Sequence, residues 1–342
     1  MNAMPDPVKA QAAKAPPLLE VKNLSVRFSS PAGEVRAVED VSFNIGRGES
    51  VGIVGESGSG KTVTCMSMMW LLPSPPARYP TGTIRFKGKE LDRHREREMQ
   101  KVRGSGIGMV FQNSRLSFNP GYRIGSQVNE TLRVHLGKEW KKELPRVIEM
   151  LRYCNISEPE RVLRSYPHEV SGGVAQRVSI ALALLIKPEL LIADEPTTAL
   201  DLLSQLEVLR LLERVRKETS CSLVLVSHDL AVVRRVADRV IIMYAGRVVE
   251  EGPTADIFAD PKHPYTQGLL ASTAQKEEGE RLYELPGHPP DLAALPQGCS
   301  FRPRCVHAFA KCLTMPELLP AGPERVARCH LLDAGREAAH HG

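Results

Sequence analysis

The order of segments predicts an α/β fold, a parallel sheet covered by helices on both faces, with an antiparallel sheet at its front and a loop-rich tail. Three observations carry this prediction. From residue 178 onward, helical stretches alternate with short apolar strands, "LLIAD" (190–194), "SLVLVS" (222–227) and "VIIMYAGRVV" (240–249), an order that doubly covered sheets require. Two early segments, "LLEVKNLSVRF" and "VRAVEDVSFNI", alternate apolar and polar residues as half-buried strands do. Beyond about residue 260 the texture turns to Pro, Gly, His and Cys with few periodic segments, which places a domain boundary there.

In chain order, residues 1–18 read as a disordered lead-in, 19–260 as the main domain with a helical part at about 116–180, and 261–342 as the tail. A Pro-Ala-Gly turn joins the two early strands. "SVGIVGESGSGKTVTCMSMMWLL" follows as an apolar strand, a glycine turn and an apolar-periodic helix. The stretch from about 88 to 170 is charge-rich and mostly helical in pattern, and its most polar part, "KELDRHREREMQKVR", reads as a solvated surface rather than a nucleic-acid patch. No fixed-period repeat is visible, which excludes a solenoid or propeller.

At 342 residues the chain can bury a substantial core without disulfide or metal staples. Lys and Arg exceed Asp and Glu by 45 − 40 = 5 with no sustained basic run, which argues against nucleic acid as the main partner. The start, "MNAMPDPVKAQAAKAPPLLE", has no continuous apolar h-region, so the chain is expected to stay in the cytosol. The richest apolar window, "VSIALALLIKPELLIAD", is broken by Lys187, Pro188 and Glu189, so any membrane role is expected to be peripheral.

"GESGSGKT", Gly55 to Thr62, fits the G-x-x-x-x-G-K-[ST] pattern between a strand and a helix. The backbone N–H groups of Gly55, Ser57, Gly58, Ser59 and Gly60 can wrap a triphosphate, Lys61 reaches its terminal phosphates, and Thr62 offers a hydroxyl to Mg²⁺. The strand "LLIAD" delivers Asp194 and Glu195 at its carboxyl end, where open α/β sheets place ligands. Asp194 is suited to hold Mg²⁺ and Glu195 to polarise an attacking water. Gln112 and His228 end two further strands; Gln112 can touch metal or water, and His228 can contact a γ-phosphate. A second glycine motif, "VSGGVAQR" (170–177), has no work to do on the same nucleotide.

Of the seven cysteines, Cys65, Cys154 and Cys221 sit among apolar neighbours and read as small buried hydrophobes. Cys299, Cys305, Cys312 and Cys329 crowd into the tail with spacings C-x5-C-x6-C-x16-C, without the C-x2-C pairs of a recognisable zinc site. Four thiolates suit zinc or an iron–sulfur cluster, and spacing alone leaves free thiols open. His330, next to Cys329, is a candidate substitute ligand.

With these motifs assembled, residues 20–342 resemble the nucleotide-binding subunits of ABC transporters. The resemblance implies an ABC-type P-loop domain: a RecA-like core, an antiparallel β subdomain, a helical subdomain and a Cys-containing C-terminal extension. It assigns Phe28 to stacking on adenine, Gly55–Thr62 to Walker A, Gln112 to the Q-loop, and Ser171, Gly172 and Gly173 to the signature motif. Asp194 and Glu195 match Walker B, Ala199 to Asp201 the D-loop, and His228 the H-loop. In such proteins the signature caps the ATP held by a second subunit, which implies that "VSGGVAQR" serves a partner's nucleotide. Val170 and Val174 replace the family's usual leucine and glutamine; Val174 removes a polar group and implies a less efficient partner site.

"FQNSRLSFNP", "YPHEVSGG", "IADEPTTALD", "HPYTQGLL" and "GCSFRPRC" together resemble the ATPases of oligopeptide and dipeptide importers. This implies a Mg²⁺-dependent ATPase at the cytoplasmic face of the inner membrane. Its implied partners are a second, nonidentical ATP-binding subunit, two transmembrane permease subunits and an extracytoplasmic substrate-binding protein, with no nucleic acid. It also implies a 4Fe–4S cluster on Cys299, Cys305, Cys312 and Cys329, with zinc as the alternative. The same machinery can carry nickel, glutathione or opines, and a soluble ABC ATPase acting on nucleic acid is a further alternative; retention of Lys61, Glu195 and His228 speaks against a noncatalytic subunit.

Overall fold

The computed structural model describes residues 16–31, 33–273 and 284–333. In chain order the strands are β1 (Leu19–Ser30), β2 (Gly33–Ile45), β3 (Ser50–Val54), β4 (Ala77–Phe86), β5 (Lys89–Glu90), β6 (Ile107–Val110), β7 (Leu190–Asp194), β8 (Ser222–Ser227), β9 (Arg239–Tyr244), β10 (Arg247–Pro253), β11 (Leu319–Gly322) and β12 (Arg325–Ala327). Among the described residues they form a four-stranded antiparallel sheet, β2-β1-β4-β5, and an eight-stranded sheet, β11-β12-β10-β9-β3-β8-β7-β6. The large sheet is parallel from β9 through β3, β8 and β7 to β6, and antiparallel beyond β9.

The period of two along each parallel strand builds a core on both faces. Leu190, Ile192, Val224, Val226 and Ile241 face the antiparallel sheet, packing with Val21, Val38 and Met68. Their neighbours Leu191, Ala193, Leu223, Leu225, Val240 and Ile242 face the other way, against the helices Gly172–Leu185, Leu202–Glu218 and Leu230–Val236. Each buried Val, Leu or Ile contributes about 1.5–3 kcal/mol, so both faces are strongly held. The expected α/β class is what the chain adopts.

The structure departs from the sequence reading at several points. The run 240–249 is two antiparallel strands, β9 and β10, because Ala245 and Gly246 both take positive φ (48° and 78°) and form the two-residue turn that joins them. An apolar residue in that turn hides the break. β4 was not anticipated: its polar and proline-containing sequence, ARYPTGTIRF, gains its place by pairing with β1. The helix after the first glycine loop stops at Ser67, although the apolar run continues. There Trp70 turns into the left-handed region, and Arg103 donates to the carbonyls of Met69 (3.0 Å) and Trp70 (3.2 Å).

"KELDRHREREMQKVR" is largely exposed, holding β5 and the helix Glu96–Val102, with Met99 alone of that helix driven into the core. Of the expected lead-in, residues 1–15 lie outside the described residues, whereas Leu18 is buried and its N–H bonds Ile45 O at 2.8 Å.

The segment beyond 260 joins the large sheet, where β12 pairs with β10. Glu250, on β10 and fully buried, accepts from the backbone N–H groups of Lys262 (2.8 Å) and His263 (2.9 Å) and from Arg325 (3.2 Å). Phe301 then packs edge-on against Tyr244 and Tyr265, 5.3 and 5.5 Å between ring centres, while the two tyrosines tilt against each other at 4.6 Å, bringing the helix Pro264–Thr273 and the cysteine-bearing loops onto the end of β9.

Candidate functional site

The loop Gly55–Thr62 leaves the carboxyl end of β3 and opens the helix Lys61–Ser67. Its glycines are demanded by geometry. A Cβ on Gly55 would lie 2.2 Å from Met243 O, and Gly60, at φ 99°, would put one 2.5 Å from Ala37 O. Ser57 and Gly58 are exposed at the crest of the loop, while Ser59 is buried with its hydroxyl lacking a partner.

Lys61 is 4% exposed; its Nζ donates to Gly55 O (2.7 Å) and Glu56 O (2.9 Å) and lies 3.8 Å from Glu195 Oε1. Burial lowers its pKa, while the charges of Glu195, Asp194 and Glu56 push it back up. Thr62 Oγ1 donates to Asp194 Oδ1 at 3.2 Å. Asp194, at the end of β7, is almost fully buried; burial raises its pKa, with the Glu195 charge adding to the rise and the Thr62 hydrogen bond opposing it.

Glu195 adopts a positive φ of 44°, and its N–H bonds Val226 O on β8 at 3.0 Å, which turns its side chain into the same site. Glu195 Oε2 accepts from Gln112 Nε2 (2.9 Å) and Thr198 Oγ1 (2.9 Å), and His228 Nδ1 stands 3.5 Å away. The ends of β3, β6, β7 and β8 thus converge on one carboxylate pair. Lys61, Thr62, Gln112, Asp194, Glu195 and His228, all named from sequence, are neighbours here. Thr198 was missed; its only signal is a hydroxyl three residues after Glu195.

The second glycine motif is organised differently. Ser171 caps the helix Gly172–Leu185, its Oγ accepting from Val174 N–H at 3.2 Å. A Cβ on Gly173 would lie 2.6 Å from Ser204 Oγ, so the motif packs tightly on the start of the helix Leu202–Glu218. Asp201 caps that helix, accepting from Ser204 N–H (3.0 Å) and Oγ (2.7 Å), and these bonds lower its pKa. Ser114 Oγ donates to buried Gln176 Oε1 at 2.6 Å and Arg115 donates to Val170 O, which ties the segment after Gln112 to this motif. Phe28 is half-buried on β1, opposite Val35 and Ala77.

Cys65 and Cys154 are fully buried and Cys221 nearly so, as small hydrophobes are. Cys299, Cys305, Cys312 and Cys329 come together around one small cavity that His263 and His330 also line. Burial raises the Cys329 thiol to about 11, with the other three cysteines adding to the rise. Among the described residues, however, no group of three or more His, Cys, Asp or Glu is arranged to hold a metal ion, and none of the four cysteines is in a disulfide. The expected cluster or zinc site therefore finds no support in ligand geometry. His330 Nε2 sits 3.2 Å from Thr314 O and its Nδ1 3.3 Å from Asp333, so both ring nitrogens are engaged elsewhere.

Comparison with known proteins gives two family matches: "ABC transporter" over residues 38–198 and "Oligopeptide/dipeptide transporter, C-terminal region" over residues 249–312. The chain is 48% identical over 296 residues to the oligopeptide transport ATP-binding protein OppD of Bacillus subtilis, covering 85% of this chain and 82% of the relative. It is 43% identical over 324 residues to OppD of Escherichia coli, covering 94% and 95%. The dimeric structure of MJ0796, a bacterial ABC transporter cassette, matches with a TM-score of 0.59 at 29% identity, over 69% of this chain and 98% of that one. CbiO1 of Clostridium perfringens, part of the ABC transporter complex cbiONQ, matches with a TM-score of 0.58 at 27% identity, over 72% and 92%.

Proposed function

The chain belongs to the ATP-binding subunits of oligopeptide and dipeptide ABC transporters, and from that premise we propose that it binds and hydrolyses ATP to power peptide import. The observation that carries this reading is the meeting of Lys61, Thr62, Asp194, Glu195, Gln112 and His228 at the ends of four strands. Loop N–H groups from Gly55 to Gly60 cradle the phosphates, and Lys61 holds the terminal ones. Glu195, kept in place by Gln112 and Thr198, orients the attacking water and takes its proton; His228 stands ready at the γ-phosphate.

Thr62, Asp194 and Gln112 are the residues that would hold Mg²⁺. The fit is supported by the Thr62–Asp194 contact and by the burial of Asp194, which raises its pKa despite the nearby Lys61 charge and which a divalent cation would offset. When bound, Mg²⁺ neutralises charge on the phosphate oxygens. Phe28 is assigned to the adenine. Ser171, Gly172 and Gly173, with Asp201, serve the nucleotide of a second ATP-binding subunit. Glu195→Gln is expected to keep ATP binding, cut turnover by at least about 100-fold and trap an ATP-bound dimer; unchanged hydrolysis would remove Glu195 from this role.

The partners proposed are a nonidentical ATP-binding subunit, two permease subunits and an extracytoplasmic binding protein, with this chain peripheral on the inner membrane. Among the described residues no helix is long and apolar enough to cross a membrane. The chain is proposed to divide into residues 19–260, the nucleotide-binding domain, and 261–342, the C-terminal extension. A 4Fe–4S cluster on Cys299, Cys305, Cys312 and Cys329 has one supporting observation, their shared cavity. Replacing Cys299 and Cys305 by Ser is expected to lower the iron content of the purified chain, and equal iron in variant and wild type overturns the cluster.

A further inference from the structure

Glu56, the second residue of the phosphate-binding loop, is held at both ends by residues from beyond position 260. Its carboxylate receives a two-pronged pair from Arg304, Nη1 to Oε2 at 2.6 Å and Nη2 to Oε1 at 3.0 Å. Its backbone N–H donates to the Tyr265 hydroxyl at 2.8 Å. Neither partner is loosely placed. Arg304 is 7% exposed, with Nε donating to Pro286 O at 2.8 Å, and Tyr265 is fully buried against Tyr244 and Phe301. The Glu56 carbonyl, in turn, accepts from Lys61 Nζ at 2.9 Å.

From this geometry we infer that Arg304 and Tyr265 are positioning residues for nucleotide binding: they fix Glu56 and, through its carbonyl, the Lys61 ammonium. The inference rests on the reading that Gly55–Thr62 holds ATP. Arg304 has a second effect, which is electrostatic. A carboxylate in a loop built for a triphosphate repels that ligand, and a guanidinium bonded to both its oxygens cancels the repulsion. Without Arg304, Glu56 becomes an unpaired negative charge beside the phosphates. The segment that carries Cys299 and Cys305 on either side of Arg304 thereby acts on the ATP site of its own chain.

The test is titration of the full-length chain with a fluorescent ATP analogue. Arg304→Ala is expected to weaken binding about tenfold, and adding Glu56→Gln to it should restore affinity to within about threefold of wild type by removing the stranded charge. A residue that merely braced the tail would show no such rescue. Equal affinity in Arg304→Ala and wild type overturns the inference, as does a double variant no better than the single one. Should Arg304→Ala fail to fold, Tyr265→Phe keeps the aromatic packing and is expected to bind about threefold more weakly; unchanged binding there contradicts the role given to Tyr265. If wild type does not bind the analogue, or Lys61→Ala binds it equally well, the ATP reading itself fails, an outcome distinct from a failure of Arg304 alone.

Discussion

The phosphate loop and the cysteine cavity both gather side chains from distant parts of the chain, yet they are built on opposite principles. The loop sits where parallel strands end, so β3, β6, β7 and β8 deliver Lys61, Gln112, Asp194 and His228 to one place by topology alone. The cavity is made by irregular chain held down through a few buried polar anchors and an aromatic cluster. A site set by strand ends survives changes in most individual contacts. One set by anchors depends on each of them, and here the second kind also grips the first through Arg304 and Glu56.

The largest effect should come from removing chemistry at the strand-end site while its frame stands. Lys61→Ala is expected to lower ATP turnover by about 10²–10³-fold with little loss of fold, and an ATPase assay with a thermal melt separates the two. On the anchored side the expected pattern is reversed, a stability loss with the chemistry untouched at source. Glu250→Ala leaves buried Arg325 with only the exposed Asp260, 3.8 Å away, as a charge partner, strands the two N–H groups of Lys262 and His263, and is expected to cost about 3–5 kcal/mol. A denaturant midpoint equal to wild type would show that the tail docks by packing alone. The smallest effect is expected at the junction of the helices Gly172–Leu185 and Leu202–Glu218, where Gly173→Ala drives a methyl against Ser204 Oγ and costs about 1–3 kcal/mol. A neutral result would mean that this contact yields freely, weakening the link drawn between Gly173 and Asp201.

The same contrast explains what was legible in the sequence. Asp194 and Glu195 could be placed because four apolar residues precede them on a buried strand, and Lys61 because a strand, glycines and a helix surround it. Periodicity and local motif carry that information. β4 escaped because its alternation is broken by Pro80 and Gly82, and pairing with β1 overrides local preference. The β9–β10 turn escaped because Ala245 carries no turn signal. Arg304 and Tyr265 were visible only as letters in "FRPRC" and "HPYTQGLL"; their contact with Glu56 spans more than two hundred residues and leaves no local trace. The cysteines could be counted, and their meeting around one cavity awaited the fold.

The central claim is that this chain spends ATP on peptide import, and it is tested most directly by its ATPase rate in membranes reconstituted with the permease subunits and the second ATP-binding subunit. The binding protein is supplied empty or loaded with short peptides. Stimulation by the peptide-loaded form alone is the predicted result, and it should vanish with Glu195→Gln. Hydrolysis that continues at the same rate whether the binding protein is empty or loaded would contradict it.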